Sequence, residues 1–314
     1  MQYIITSEQD GMTIRSFLQI YLKPSSKMLK YLKYRPDGIC VNGEHRTVRY
    51  LLREGDRLDV AISDAEDSDR IAPVDLPIEI LYEDDELIVP SKPAHMPTHP
   101  SHDHYNDTVA NALAFRFAQR NIPFVFRPIN RLDRNTSGLL LVAKNKLSAG
   151  RLTRALSSGE IHKQYIAVLD GEMTQTEGII DACLHRTAKS IIVREVCAPD
   201  APDADAARTE FSVLAVENGH TLVKAQPITG RTHQLRVHFA SLGHPITGDD
   251  LYGTVTPYID RHALHALELE FPHPSDRRKM TVTAPIAKDM KELIERFFPK
   301  YLQAQKLGKA EQIH

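Results

Sequence analysis

The sequence predicts an α+β protein with two folded units, a small N-terminal module and a larger second domain. Apolar residues at helical spacing, as in residues 11–22, predict amphipathic helices. Short alternating runs that meet at Asn42-Gly43 and at Asn218-Gly219 predict hairpins of antiparallel strands. An acidic segment divides the units, and we therefore predict a module at 1–63, a linker at 64–72, a domain at 73–302 and a polar tail at 303–314.

The composition is that of an ordinary globular protein, with 42% hydrophobic and 25% charged residues among 314. No apolar run approaches the ~20 residues of a membrane helix, and the N-terminus lacks the features of a signal peptide. The three cysteines (Cys40, Cys183, Cys197) form no disulfide pattern. We expect a cytoplasmic monomer without membrane association. Because the net charge is only −2, any nucleic-acid surface must be a local patch.

The N-terminal module is predicted to contain two helices, a hairpin and a last strand. The first helix spans 11–22, and the second has Ser25 or Ser26 as its N-cap. A short strand then reaches the Asn42-Gly43 turn, and another begins after Gly55-Asp56. These elements make a compact module of about sixty residues, near the lower size limit for independent folding.

The second domain is predicted to alternate strands, hairpins and helices. Residues 83–86 form a hairpin turn, and the apolar run Gly138–Val142 predicts one strand buried on both faces. Ser148 is the predicted N-cap of a helix that closes near Gly159. The other predicted elements are a helix at 107–116, strands at 161–171, 178–197, 209–226 and 267–271, a helix that buries Leu235, His238, Phe239 and Leu242, and a final helix at 286–297.

Three charges stand where the chain enters the predicted buried strand. Arg131, Asp133 and Arg134 precede the turn-forming sequence Asn135–Gly138. A carboxylate flanked by two guanidinium groups at the mouth of a strand suits positioned chemistry. A buried structural ion pair is the alternative interpretation, and this stretch alone favours neither.

Two further stretches carry candidate functional residues. On the strand 161–171, period two places Lys163 and Tyr165 on one face. They form either an exposed cross-strand pair or the wall of a cleft in which the ring stacks on a base. In the stretch Gly230–His238, Arg236 lies at the edge of a helical buried face, where its long side chain can reach a carboxylate.

A histidine-rich loop raises the question of a metal site. His99, His102, Asp103 and His104 lie close together in the sequence. The loop is rich in proline, however, and it lacks the His-x-x-x-His spacing that places two ligands on one helical face. We therefore predict a structural loop and no metal.

The N-terminal module has a pattern of its own in Ser25-Ser26-Lys27, Val41-Asn42-Gly43 and Leu52–Asp56. This order resembles the S4 RNA-binding module. The resemblance implies contacts with RNA phosphates and no reading of bases. The candidate basic residues are Lys27, Lys30, Lys33 and Arg35. Helix faces also carry lysines for solvation alone, and the module could be degenerate, so both alternatives stay open.

Five motifs follow one another along the second domain. They are Arg131-Leu132-Asp133-x-x-Thr136-Ser137-Gly138, Lys163-x-Tyr165-x-Ala167-x-x-x-Gly171, Gly230–His238, Gly248-Asp249-x-x-Tyr252-Gly253 and Ala263-Leu264-His265-Ala266. In this order they resemble the RluA/RluD family of RNA pseudouridine synthases, and with the module the resemblance covers nearly the whole chain. It implies a catalytic domain built on a long, bent, mixed and mostly antiparallel sheet with flanking helices and a central cleft.

The resemblance also implies a reaction and roles for residues. Uridine in RNA is isomerised to pseudouridine without cofactor or metal, and Asp133 is the catalytic carboxylate. Arg236 pairs with Asp133, Tyr165 receives the flipped base, and Arg131 enters the space that the base leaves. The other implied RNA contacts are Arg134, Thr136, Lys163, Arg231, His233, Gln234 and Leu235.

Two positions depart from the family pattern, and two other functions stay open. Asn130 stands where many relatives have His, and His95 where Gly is common. A nucleoside hydrolase or glycosylase would need a second carboxylate to activate water. A non-catalytic RNA-binding or ribosome-assembly protein would not need Asp133. The S4-like module favours large-subunit ribosomal RNA as the substrate, with transfer RNA as the alternative.

Overall fold

The computed structural model describes residues 1–311 other than 23, 25, 62–70, 188, 189 and 191, and only the backbone of 26–28, 31 and 306–311. Most of the predicted linker 64–72, the possible N-cap Ser25 and the Lys27 side chain therefore lie outside the described residues. None of the described helices is both long enough and apolar enough to cross a membrane.

The N-terminal part contains a four-stranded antiparallel sheet in the order β1-β4-β2-β3. At the Asn42-Gly43 turn, φ is 53° and 87°, the backbone that a two-residue hairpin requires, so this prediction is confirmed. The predicted helix 11–22 is only partly α-helical. The elements are β1 (Gln2–Ile4), a 3-10 turn (Ser7–Gln9), α1 (Ile14–Phe17), a π-helical turn (Leu18–Leu22), α2 (Ser26–Tyr34), β2 (Ile39–Val41), β3 (Glu44–His45) and β4 (Arg57–Val60).

This N-terminal part has its own apolar core and packs against the rest of the protein. Phe17, Leu32 and Leu58 are buried in that core, together with Leu147 of the following domain. Arg151 also donates hydrogen bonds to the carbonyl oxygens of residues 21 and 22, each at 3.3 Å. The two parts therefore share a packed contact.

The rest of the chain is built on an eleven-stranded mixed sheet in the order β11-β14-β15-β10-β16-β8-β6-β9-β7, with β17 on β16 and β5 on β6. Only β16 and β8 pair in parallel, which confirms the mostly antiparallel α+β prediction. The strands are β5 (Glu79–Glu83), β6 (Leu87–Lys92), β7 (Arg127–Pro128), β8 (Ser137–Leu139), β9 (Val142–Ala143), β10 (His162–Asp170), β11 (Glu177–Asp181), β14 (Arg208–Glu217), β15 (His220–Pro227), β16 (Leu264–Pro272) and β17 (Lys279–Thr283).

Helices and a separate ribbon complete the domain. β12 (Cys183–Arg186) and β13 (Arg194–Cys197) form a two-stranded ribbon outside the large sheet. The core on one face of the sheet includes side chains of α3, α5 and α6, and that on the other face includes side chains of α4. The helices are α3 (Val109–Ala118), α4 (Lys146–Ser157), α5 (Gln234–Ser241), α6 (Lys288–Phe297) and α7 (Pro299–Glu311).

The predicted strand Gly138–Val142 is interrupted in the structure. Leu139 and Leu141 enter one core, whereas Leu140 and Val142 enter the other, so burial on both faces is confirmed. The run nevertheless forms two strands, β8 and β9, rather than one. Between them, the Leu140 N–H leaves the regular ladder and donates to the Pro90 carbonyl at 3.1 Å.

Three local predictions need correction. Asn145, not Ser148, is the N-cap of α4, because its side chain accepts the Ser148 N–H at 2.8 Å. Leu242 is 40% exposed, and Val237 is buried instead. The last helix, α7, continues past residue 303, where the sequence predicts the start of a polar tail.

Gly138 is the tightest backbone position in this core. Its φ of 109° disfavours any side chain, and a Cβ would lie 2.2 Å from the backbone oxygen of Ala266 on β16. Gly138→Ala should lower the free energy of unfolding by about 3 kcal/mol or more. Gly150 is the matched control, since it lies inside α4 with nothing within 4 Å of its Cβ position.

Gly150→Ala should raise the free energy of unfolding by ~0.5–1 kcal/mol, because alanine favours the helix. Urea unfolding followed by circular dichroism measures both variants. If Gly138→Ala unfolds within ~1 kcal/mol of the parent, the close approach of β8 and β16 is wrong.

Candidate active site

One cleft of about 1160 Å³ opens at the edge where the β7–β8 loop, β10 and the start of α5 meet. Its size is close to that of the larger small-molecule pockets in proteins. The cleft brings together eleven residues that were predicted from the sequence: Arg131, Asp133, Arg134, Thr136, Lys163, Tyr165, Arg231, His233, Gln234, Leu235 and Arg236.

Asp133 lies on a loop (residues 129–136) that hydrogen bonds hold on both sides. Thr98 donates from Oγ1 to the Leu132 carbonyl at 3.0 Å. On the other side, Thr136 Oγ1 and His262 Nε2 are 2.8 Å apart, both buried. Burial lowers the pKa of His262 to about 3, so that ring is neutral. These bonds give the Asp133 backbone a fixed position.

Lys92 also holds this loop through hydrogen bonds from its side chain. Its ammonium donates to the carbonyl oxygens of Pro93, Met96 and Arg134 at 2.8–2.9 Å. Burial lowers the pKa of Lys92 to about 7, while three carbonyl acceptors favour the protonated form. Arg261, also buried, donates to the Asn135 carbonyl at 3.0 Å and pairs with Asp289 of α6. Neither Lys92 nor Arg261 is predicted to have a role from the sequence alone.

The carboxylate of Asp133 faces the cleft with two basic side chains near it. Its side chain is 23% exposed, Oδ1 lies 4.0 Å from His233 Nε2, and Oδ2 lies 4.0 Å from Arg236 Nη1. At 4.0 Å these are electrostatic contacts and not hydrogen bonds. Each carboxylate oxygen therefore has one basic side chain near it, and the side chain of Asp133 is partly exposed in the cleft.

Arg236 has a different main partner from the predicted one. Its Nε and Nη2 bind the two carboxylate oxygens of Asp249, each at 2.7 Å, and Asp249 is fully buried. Asp133 was expected to be the partner, but it meets only Nη1. Burial opposes the charge on Arg236 and on Asp249, yet the paired hydrogen bonds outweigh it, so the pKa of Arg236 is raised and the pKa of Asp249 is lowered.

Tyr165 and Lys163 lie in the wall of the cleft, on β10. Both are buried, at 8% and 7% exposure, which excludes the exposed cross-strand pair. Burial, and then the negative charge of Asp133, raises the pKa of Tyr165, so the phenol keeps its proton at neutral pH. Burial lowers the pKa of Lys163.

The other predicted contact residues divide into two groups. Arg131 and Arg134 are exposed at the rim of the cleft, and Arg231 forms an ion pair with Asp205 at 3.0 Å. The side-chain amide of Gln234 instead makes hydrogen bonds within the protein. Its Oε1 accepts from the Thr229 hydroxyl and from the Arg231 N–H. The side chain of Gln234 is therefore structural.

Of the basic residues predicted on the N-terminal module, those with described side chains, Lys30, Lys33 and Arg35, do not line this cleft. Lys30 is exposed and Lys33 is half-buried on α2. The guanidinium of Arg35 binds Asp37 through two hydrogen bonds of 2.9 Å. A role of these residues in RNA binding stays a prediction.

The two departures from the family pattern have structural settings. His95 has φ of 64°, the left-handed backbone that favours glycine. Asn130 accepts the Leu141 N–H at 2.7 Å and donates to the Leu139 carbonyl, so it bridges the break between β8 and β9.

The histidine-rich loop is held by ordinary contacts. His99 packs edge-on against Phe126, and His104 Nδ1 lies 2.6 Å from Asp107 Oδ2. In the part of the chain that the structure describes, no three His, Cys, Asp or Glu side chains come together as a possible metal site.

The stretch Gly248–Gly253 is part of the family resemblance, but no role was predicted for its residues. Asp249 holds Arg236, and its Oδ1 also accepts the backbone N–H groups of Leu251 and Tyr252, at 2.9 and 3.0 Å. Tyr252 lies under the guanidinium of Arg236, 5.1 Å from it. The position of this motif shortly after α5 was the feature of the sequence that could have indicated a contact between Asp249 and Arg236.

Comparisons with known proteins agree on one family. A family model described as RNA pseudouridylate synthase matches residues 86–241. An uncharacterized RNA pseudouridine synthase of Bacillus subtilis, YjbO, is 38% identical over 271 residues, which are 86% of this chain and 94% of that protein. Ribosomal large subunit pseudouridine synthase D of Vibrio cholerae is 35% identical over 81% of this chain and 82% of its own length.

A solved structure gives the same result. Human RNA Pseudouridylate Synthase Domain Containing 1 superposes with a TM-score of 0.56 and 29% identity, over 67% of this chain and 83% of that one. The fold and the order of the motifs indicate the same family, and so do relatives that align over most of their own length. The chain therefore belongs to the RNA pseudouridylate synthase family, and it is an RNA pseudouridine synthase, an isomerase.

Proposed function

We propose that Asp133 is the catalytic carboxylate of this enzyme and that its substrate is a uridine in large-subunit ribosomal RNA. One observation carries the proposal. Asp133 is a partly exposed carboxylate at the centre of the large cleft, with Arg236 facing one of its oxygens and His233 the other. The buried Tyr165 lies in the same wall.

The chemistry requires an ionised carboxylate next to the sugar and base. The N1–C1′ bond of uridine breaks, the uracil turns, C5 joins C1′, and the hydrogen on C5 is replaced by one on N1. Asp133 acts either as a nucleophile or as the base that removes a proton. The positive charge of Arg236 favours the ionised form of the carboxylate, because opposite charges stabilise each other at this distance.

The target nucleotide must leave its stack to reach Asp133. A cleft of about 1160 Å³ has room for a flipped nucleotide. Arg131 is exposed at its rim and is suited to fill the space that the base vacates. Tyr165 contributes an aromatic edge with its hydroxyl protonated, which supports a role in receiving the base.

Two alternative functions predict different results in a product assay. A glycosylase would release free uracil, and Asp250 is a second carboxylate that lines the cleft. Arg236 Nη2 lies 3.3 Å from Asp250, however, and this ion pair disfavours Asp250 as a base for water. A non-catalytic RNA-binding protein would release no product and would bind equally well without Asp133.

Asp133→Asn should abolish pseudouridine formation while the protein stays folded. We expect the single-turnover rate to fall by ~10³-fold or more, with less than ~1.5 kcal/mol lost in stability, because the amide has the shape of the carboxylate but not its charge. Pseudouridine and free uracil are quantified by mass spectrometry after incubation with ribosomal RNA and, separately, with transfer RNA.

Turnover of the Asn variant within tenfold of the parent would remove Asp133 from its role. Release of free uracil by the parent would favour the glycosylase. Modification of transfer RNA alone would overturn the proposed ribosomal substrate but not the reaction.

The N-terminal module is proposed to bind RNA phosphates through α2. If Lys30 and Lys33 bind phosphates, the double variant Lys30→Ala/Lys33→Ala should weaken RNA binding and lower the slope of log Kd against log salt by ~0.7 for each phosphate that is no longer neutralised. The control removes two exposed lysines of α6, Lys288 and Lys291, and should leave the slope unchanged.

The slopes are measured by fluorescence anisotropy between about 50 and 300 mM KCl, a range in which phosphate contacts dominate. Equal slopes for parent, α2 variant and α6 variant would show that the lysines of α2 serve solvation alone.

A further inference from the structure

His233 stands in a strained backbone position in the cleft. It precedes α5 with φ of 58° and ψ of 16°, a left-handed conformation that is uncommon for residues other than glycine, although His, Asn and Asp adopt it more often than the rest. Its side chain is only 10% exposed, and its Nε2 points to Asp133 Oδ1. Strained residues of this kind persist where surrounding contacts fix them, often at functional sites.

A chain of hydrogen bonds fixes the proton on this ring. The Arg194 backbone N–H, on β13, donates to Tyr252 Oη at 2.9 Å. Tyr252 Oη in turn lies 2.8 Å from His233 Nδ1. Because Oη already accepts the Arg194 N–H, this arrangement favours a phenol hydrogen that points to Nδ1. A neutral His233 then carries its own proton on Nε2, the nitrogen that faces Asp133.

We propose that His233, held in this tautomer by Tyr252, donates a hydrogen bond from Nε2 to Asp133 Oδ1 when the substrate is bound, and so orients the catalytic carboxylate. Arg236 faces the other oxygen, Oδ2, so the two side chains together fix the rotation of the carboxylate about its Cβ–Cγ bond. The present separation of 4.0 Å needs to shorten by ~1 Å, as is common when a catalytic site closes on its substrate.

The charges around His233 support a neutral ring. Burial lowers the pKa of His233, Arg236 and Arg194 lower it further, and Asp133 and Asp249 oppose this change. The neighbouring neutral His262 also faces the ring. Around Asp133, the facing groups are His233, Arg236, Lys92 and Tyr165.

This inference rests on the proposed function, because it assigns His233 a positioning role that acts through Asp133. It differs from a direct RNA contact in what it predicts. A positioning residue changes the rate of the chemical step, whereas an RNA contact changes affinity.

The test uses full-length variants at His233 and Tyr252. His233→Asn suits the left-handed backbone but is too short to reach Asp133. Its single-turnover rate on saturating RNA should fall by about 10- to 100-fold, the loss expected for one hydrogen bond to a charged group, with Kd for RNA unchanged. The loss should fall on the rate of the chemical step, because the carboxylate loses the donor that orients it.

Two further variants separate the roles. His233→Gln keeps an N–H donor at longer reach and should recover a large part of the rate. Tyr252→Phe retains the ring under Arg236 but removes the hydroxyl that sets the tautomer, so its rate should fall about 3- to 10-fold. The double variant His233→Asn/Tyr252→Phe should react no more slowly than His233→Asn, because tyrosine acts through histidine.

The outcomes are distinguishable from those of the proposed function. If the parent makes no pseudouridine, or Asp133→Asn remains active, the proposed function fails. If the parent is active but His233→Asn keeps its rate, or weakens Kd in proportion to the loss of rate, or adds fully to Tyr252→Phe, the positioning role is wrong. Thermal unfolding of each variant confirms that the rates refer to folded protein.

Discussion

The buried ion pair between Arg236 and Asp249 is the interaction on which the site depends. Asp249 has no exposed surface, and its carboxylate holds the guanidinium through two bonds of 2.7 Å. With Nε and Nη2 taken, only Nη1 is left to face Asp133. A planar guanidinium fixed along one edge cannot rotate, so the buried pair sets the direction of the positive charge. Removing either partner would leave a buried charge without compensation.

Buried polar groups also hold the other half of the site, the loop that carries Asp133. Asp133 lies on a loop, yet Lys92 and Arg261 bind the backbone oxygens of that loop, and Thr136 is tied to His262. Behind the loop, β8 pairs in parallel with β16, where Gly138 allows close contact. The carboxylate and its basic neighbours are therefore held by separate rigid elements, as precise positioning requires.

Local patterns in the sequence predicted the hairpin turns and the buried central run, whereas several of the residues that gather in the cleft were implied by the family resemblance. Asn42-Gly43 succeeded because a two-residue turn is decided by its own backbone preferences. The partner of Arg236 could not be predicted this way, since helical periodicity shows that a side chain reaches a neighbour but not which carboxylate it meets. The break at Leu140 likewise depends on a distant carbonyl, that of Pro90. The N-cap of α4 failed for a smaller reason, because Asn145 and Ser148 both favour caps.

The most direct test of Asp249 as the anchor of the site compares Asp249→Asn with Asp250→Asn in single-turnover reactions across pH. Asp250 is 59% exposed and touches the same guanidinium only at 3.3 Å, which makes it the matched control. Asp249→Asn should lower the rate by about 10²-fold, because Arg236 loses the partner that directs Nη1, whereas Asp250→Asn should stay within ~3-fold of the parent. Circular dichroism checks that both are folded. Parental rates for a folded Asp249→Asn variant, or equal losses for the two variants, would contradict the claim that Asp249 directs Arg236 toward Asp133.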